Sequence, residues 1–139
     1  MVIVSSLPHV TLYLHHRPTP ILEIEWGPDV SSAELREAVL RSLALSVEYR
    51  VQGWLCNALD FSQLRPDPAT AAQDMAWVTQ AVLRPLNRVG LRRLALLESP
   101  QPAERRAAQA AYRALQGQLA YEVRYFETLA AARAWLARP

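Results

Sequence analysis

Apolar and polar positions first fall into order at Val10-Thr-Leu-Tyr-Leu-His15 and Ile21-Leu-Glu-Ile-Glu-Trp26, which predict two short strands, the second alternating Ile/Leu with Glu. Between them His16-Arg-Pro-Thr-Pro20 is a turn, because two prolines fix φ and remove ladder donors. A hairpin is predicted, closed off by Gly27-Pro-Asp29. Ser31-x-x-Glu34 then has the form of a capping box, and Leu35, Val39, Leu43 and Val47 follow at a spacing of four. That pattern predicts an amphipathic helix ending near Tyr49.

Gly53-Trp-Leu-Cys-Asn-Ala-Leu-Asp-Phe61 is mostly apolar, as in a strand covered on both faces. A polar loop, Ser62-Gln-Leu-Arg-Pro-Asp-Pro68, leads to a second capping-box pattern at Thr70-x-x-Gln73. The helix it opens carries Met75, Val78, Val82, Leu86 and Val89 on one face, with a kink expected at Pro85 and a C′ residue at Gly90. Leu91–Leu97 is the next strand, and Ser99-Pro-Gln-Pro102 enters an Ala-rich helix over 103–116 that stops at Gly117. Tyr121–Phe126 is the last strand, and Thr128 caps a final helix through Leu136. The order β-β-α-β-α-β-α-β-α predicts an α/β fold. Its sheet is mixed and five-stranded, with one antiparallel strand at or near the edge and right-handed crossovers elsewhere.

Composition narrows the class. With 139 residues, no internal repeat and no Gly/Ser linker, residues 1–139 are expected to form one domain large enough to hold a core without staples. The single Cys56 cannot form an internal disulfide, no apolar run reaches the roughly 20 residues that cross a bilayer, and Met1–Pro8 lacks a basic leader. A cytoplasmic setting with no membrane partner is the expectation. The net charge is only +2, and all 15 basic residues are Arg, so the pI of 9.0 reflects arginine's high pKa. The arginines are spread among acids or along solvated helix faces, which argues against a nucleic-acid footprint.

The order of elements, the Trp54-Leu55 strand, Asp74-Met-Ala-Trp77 in the kinked helix and the 90–97 strand segment resemble a STAS-like domain, the sulfate-transporter and anti-sigma-factor-antagonist type. The chain is most similar to small stand-alone bacterial members. Val123-Arg-Tyr-Phe126 followed by Ala134-Trp-Leu136 matches the family's strand, Phe, turn and closing helix. The resemblance runs from about residue 10 to the end and implies a regulatory, protein-binding role. Antagonist members carry a phosphorylatable serine in an Asp-Ser-Ser-Gly-like turn after the strand that here is 53–59. This chain has Asn57-Ala-Leu-Asp-Phe-Ser62 and a long loop instead, so that serine is not carried over.

Asp60, Ser62, Arg65 and Thr70 are expected where a parallel strand ends and a helix begins, with Glu98 and Ser99 expected to end the next strand beside them. They are candidates for binding an anion or, at Ser62 and Thr70, for phosphorylation. The plainer reading is that Asp60 ends a strand and Thr70 caps a helix. His9, His15 and His16 form no metal set by spacing and read as hairpin-edge residues in solvent. Cys56 reads as an inert buried thiol, and Ser5 and Ser6 lie in no nucleophile turn. Trp26, Trp54, Trp77 and Trp135 read as packing, and Trp77, one residue off the apolar stripe of its helix, would mark a partner surface if exposed. No cofactor motif or paired acid and base is present, which leans against an enzyme without settling it. Two readings stand: a regulatory domain that binds an unknown protein, and a carrier or sensor of a small apolar or anionic ligand held against Trp54 and Trp77. A homodimer stays open.

Overall fold

The computed structural model describes residues 1–27, 30–57, 68–98 and 102–139. Three strands come first: β1 (Val2–Leu7), β2 (Val10–His15) and β3 (Ile21–Trp26). Then follow α1 (Ser32–Glu48), β4 (Gly53–Asn57), α2 (Pro68–Val78) with a π-helical turn over Thr79–Leu83, and α3 (Leu86–Val89). β5 (Arg93–Leu97), α4 (Pro102–Arg113), β6 (Glu122–Phe126) and α5 (Leu129–Leu136) complete the chain. The six strands form one sheet in sequence order. β2 is antiparallel to both β1 and β3, and the remaining pairs are parallel. One strand therefore runs against the rest near the edge, as expected, and the sheet has six strands where the sequence predicts five.

The extra edge strand is β1, which the alternation rule misses because Ser5 and Ser6 interrupt its apolar run. Its register slips between Ile3 and Ser5, and Ser5 is buried while accepting a hydrogen bond from Arg41 Nη1 of α1 at 2.9 Å. A tertiary partner is what turns this serine inward.

Local signals set most element ends. Ser31 and Glu34 form both bonds of the capping box, and Thr128 accepts the Ala131 N–H. At Pro85 the helix neither kinks simply nor stops. It widens into a π turn in which the Arg84 N–H reaches the Thr79 carbonyl at 3.1 Å, then restarts at Leu86. The wide turn accommodates a ring that cannot donate and would strike the carbonyl four residues back. Gly90, at φ 91°, closes α3 in the left-handed region that favours glycine. Thr70 is not an N-cap, because α2 begins two residues earlier at Pro68, whose fixed φ suits a first turn. The Ala-rich helix ends at Arg113, with a turn carrying the chain to Gly117.

Three helical layers, α1, α2–α3 and α4, cover one face of the sheet. Leu12, Leu14, Leu22, Ile24, Trp54 and Leu94 meet Leu35, Val39, Val82 and Leu86 there in the main core. Val47 lies outside it and is 62% exposed. A stripe spaced by four drifts about 40° per step around a helix of 3.6 residues per turn, so its far end rotates away. Ser42 and Ser46 take the inward positions instead, donating to the Ala38 and Ser42 carbonyls at 2.8 and 2.7 Å.

Among the described residues, α5 alone covers the opposite face. Ile21, Leu55, Ala95 and Leu97 pack there against Ala132, Trp135 and Leu136. Gly53 permits the approach, since a Cβ would lie 3.1 Å from Leu136 Cδ2. Arg93 Nη1 donates to the carbonyls of Trp135 and Arg138 at 2.9 and 2.7 Å, holding the carboxyl end of α5. Arg93 is thus a half-buried strand residue with a structural task and not part of a solvated group.

Candidate functional site

α1 follows β3 within five residues, which puts its amino end at the carboxyl end of the sheet, where ligands and partners favour docking in open α/β folds, and α2 packs beside it. Thr70, Asp74 and Trp77, spaced four and three apart, share one face of α2. Ser32 and Arg36 of α1 stand across the seam. Asp74 is only 2% exposed, and Ser32 Oγ donates to its Oδ2 at 2.9 Å. Arg36 Nη2 lies 3.7 Å from Oδ1, an ion pair longer than a hydrogen bond. The same guanidinium lies over the Trp77 ring, 4.9 Å from its centroid. Arg36 Nε is buried with no hydrogen-bond acceptor among the described residues. Next to the seam, Glu34 accepts the Ser31 N–H through one carboxylate oxygen and pairs with His9 Nε2 through the other.

The structure brings Thr70 and Trp77 together on this seam, both half-buried. Asp60, Ser62 and Arg65 lie outside the described residues, as does Ser99. Glu98 follows β5, and its N–H donates to the Phe126 carbonyl at 2.8 Å. Trp54 is elsewhere: it is 2% exposed in the main core, and its indole N–H donates to Ser46 Oγ at 2.7 Å. Trp135 is buried under α5, and Trp26 is half-buried against the main core.

The histidines depart from the solvent reading in part. His9 pairs with Glu34, His15 Nε2 lies 3.2 Å from Glu23 Oε1, and His16 is exposed. Among the described residues no cluster of three His, Cys, Asp or Glu could hold a metal. Burial pushes the Cys56 thiol up to about 12, which makes it a poor nucleophile at neutral pH. Desolvation also raises Tyr112, Tyr121 and Tyr125, and Tyr121 donates its hydroxyl to the Leu83 carbonyl at 2.6 Å. These tyrosines line an open cavity of about 490 Å³ between α4 and β6. A smaller one, of about 170 Å³, opens beside Glu23 on the face covered by α5. Neither cavity is lined by Trp54 or Trp77.

The meeting of Arg36 and Asp74 is not legible in the sequence, which puts each on a separate helix and assigns neither to a binding site. The only signal is that Arg36 stands four residues after Ser32 and Asp74 four residues after Thr70. What the seam offers is an aromatic ring, a stacked guanidinium and a carboxylate already held by its neighbours. That arrangement suits recognition and stacking more than proton transfer.

A protein-family model described as SpoIIAA-like matches residues 21–137, from the start of β3 to just past α5. No curated protein matches the chain. No solved structure matches it either.

Proposed function

This chain belongs to the SpoIIAA-like family, with its STAS-like fold, and from that premise we propose that it is a non-enzymatic regulatory domain acting by binding another protein. The observation that carries the reading is the Arg36–Trp77 pair at the α1–α2 seam. Arg and Trp are the residue types that concentrate interface energy, and here the cation is stacked but still 41% exposed, open to a second partner. The contact surface comprises this pair, Thr70 and the segment with Asp60, Ser62 and Arg65. The exposed part of the Arg36 guanidinium offers donors to a partner's acceptor.

Ser62 and Thr70 are the proposed phosphorylation positions. A phosphate on Thr70, one turn from Asp74, would compete with that carboxylate for Arg36 and so change the surface presented. The rival reading, a ligand held between Trp54 and Trp77, gains nothing from Trp54, which is packed in the main core with its N–H satisfied.

The test begins with cross-linking of the tagged chain in its own host, identification of what it captures, and purification of that protein. Binding of the two purified proteins is then measured. Trp77→Ala and Arg36→Ala are each expected to raise Kd by about tenfold or more, as hot-spot truncations do. Arg138→Ala, beyond α5, should leave Kd unchanged. Wild-type Kd in both seam variants would remove the seam from the interface. Intact mass of the native chain reads out any phosphate, to be mapped to Ser62 or Thr70.

A further inference from the structure

β3 buries a full carboxylate where its neighbours are apolar. Glu23 is 2% exposed and points to the same face as Ile21 and Leu55, under α5. Both of its oxygens are occupied. Oε1 accepts from Arg133 Nε at 3.1 Å and from Nη2 at 2.9 Å, and Oε2 accepts from Nη2 at 3.0 Å. His15 Nε2 lies 3.2 Å from Oε1. Packing alone does not call for this. A buried ion pair seldom stabilises more than an apolar pair of the same volume would. What the pair does achieve is orientation: a two-pronged carboxylate clamp fixes the plane of a guanidinium that would otherwise be mobile.

The fixed guanidinium borders the cavity of about 170 Å³. The clamp engages Arg133 Nε and Nη2, and Nη1 has no hydrogen-bond partner among the described residues. Arg17, in the turn between β2 and β3, lines the same cavity and makes no ion pair among the described residues. Ile21, Leu55 and Leu136 supply apolar lining. Two guanidiniums therefore face one carboxylate that is already bonded, leaving a positive excess over an apolar floor.

We propose that this cavity binds a small carboxylate with a short apolar body. Planar, bidentate recognition by arginine suits a carboxylate head. The apolar floor asks for carbon, and a space near 150 Å³ is about what a benzene ring fills. An inorganic anion would leave that floor uncovered. The site lies on the opposite face of the sheet from the α1–α2 seam and at the other end of β3. It stands independently of the protein-binding reading.

The experiment is a ¹⁵N–¹H NMR titration of the full chain with benzoate, with inorganic phosphate as a second titrant, following the backbone and the Arg133 Nε–H signal. Benzoate is expected to give saturable shifts around β3, the Arg17 turn and α5, with phosphate giving none there. Arg17→Met, at an exposed turn where folding is not at stake, should weaken benzoate by about tenfold, as should Arg133→Met. Leu40→Ala, on the far side of α1, should leave binding unchanged. Absence of saturation up to about 20 mM benzoate in the wild type would overturn the site. So would binding that survives Arg17→Met and Arg133→Met alike, or a phosphate response equal to that of benzoate. None of these outcomes bears on Trp77 or on partner binding.

Discussion

β3 serves two unlike environments within six residues. Leu22 and Ile24 enter the core built with three helical layers, among a large cluster of buried apolar side chains. Ile21 and Glu23 enter the face that one short helix covers, where a cavity remains and an arginine from α5 reaches in. The first face holds the molecule together through buried area. The second tolerates a charged cluster and an empty space because less is demanded of it. Stability and binding capacity are thereby placed on opposite sides of one sheet.

Truncation on the dense side should give the largest effect. Leu22→Ala is expected to cost about 3–5 kcal/mol in denaturant unfolding, against about 1–3 kcal/mol for Ile21→Ala beside the cavity. Equal losses would mean that the two faces share the load after all.

A smaller effect is expected at the ion pair. Arg133→Met leaves Glu23 buried with only His15 close by, and about 2–3 kcal/mol should be lost, less than for a fully buried pair because Arg133 is half exposed. Glu23→Leu combined with Arg133→Met should return to within about 1 kcal/mol of the wild type. A double variant as unstable as the single one would make the pair a fold requirement.

Alkaline pH separates the faces more gently. Cys56, Tyr112 and Tyr121 belong with the three-helix side, and burial raises all three. A group whose folded pKa is raised contributes stability that is full below its unfolded value and lost as pH climbs through the folded one. For Cys56 the window runs from about 9 to about 12. Unfolding free energy should be level up to about pH 9 and then fall, and Cys56→Ala should flatten the first part of that fall. A fall equally steep in Cys56→Ala would assign it to the tyrosines alone.

The smallest change is local. Arg50 adopts φ 52° after α1, where the Val51 N–H closes onto the Ser46 carbonyl at 3.0 Å. Arg50→Gly should gain up to about 1 kcal/mol, since the left-handed region strains any side chain with a Cβ. A loss would show that the Arg50 side chain makes a contact worth more than that strain.

The sequence by itself determined what depends on neighbours a few residues away. Ser31 with Glu34, Thr128 and Gly90 mark helix ends because caps and left-handed turns are local geometry, and β2 and β3 follow from alternation over six residues each. Phe126 through Leu136 was legible as strand, turn and helix for the same reason. The tertiary structure alone decided the rest. Ser5 turns inward because Arg41 arrives from α1, and Arg36 meets Trp77 only once α1 and α2 lie side by side. Glu23 looked like the solvent half of an alternating strand until Arg133, 110 residues later, was placed over it. Which side of a strand meets water is settled by what packs across it, and period-two alternation cannot say where a distant helix will leave a gap.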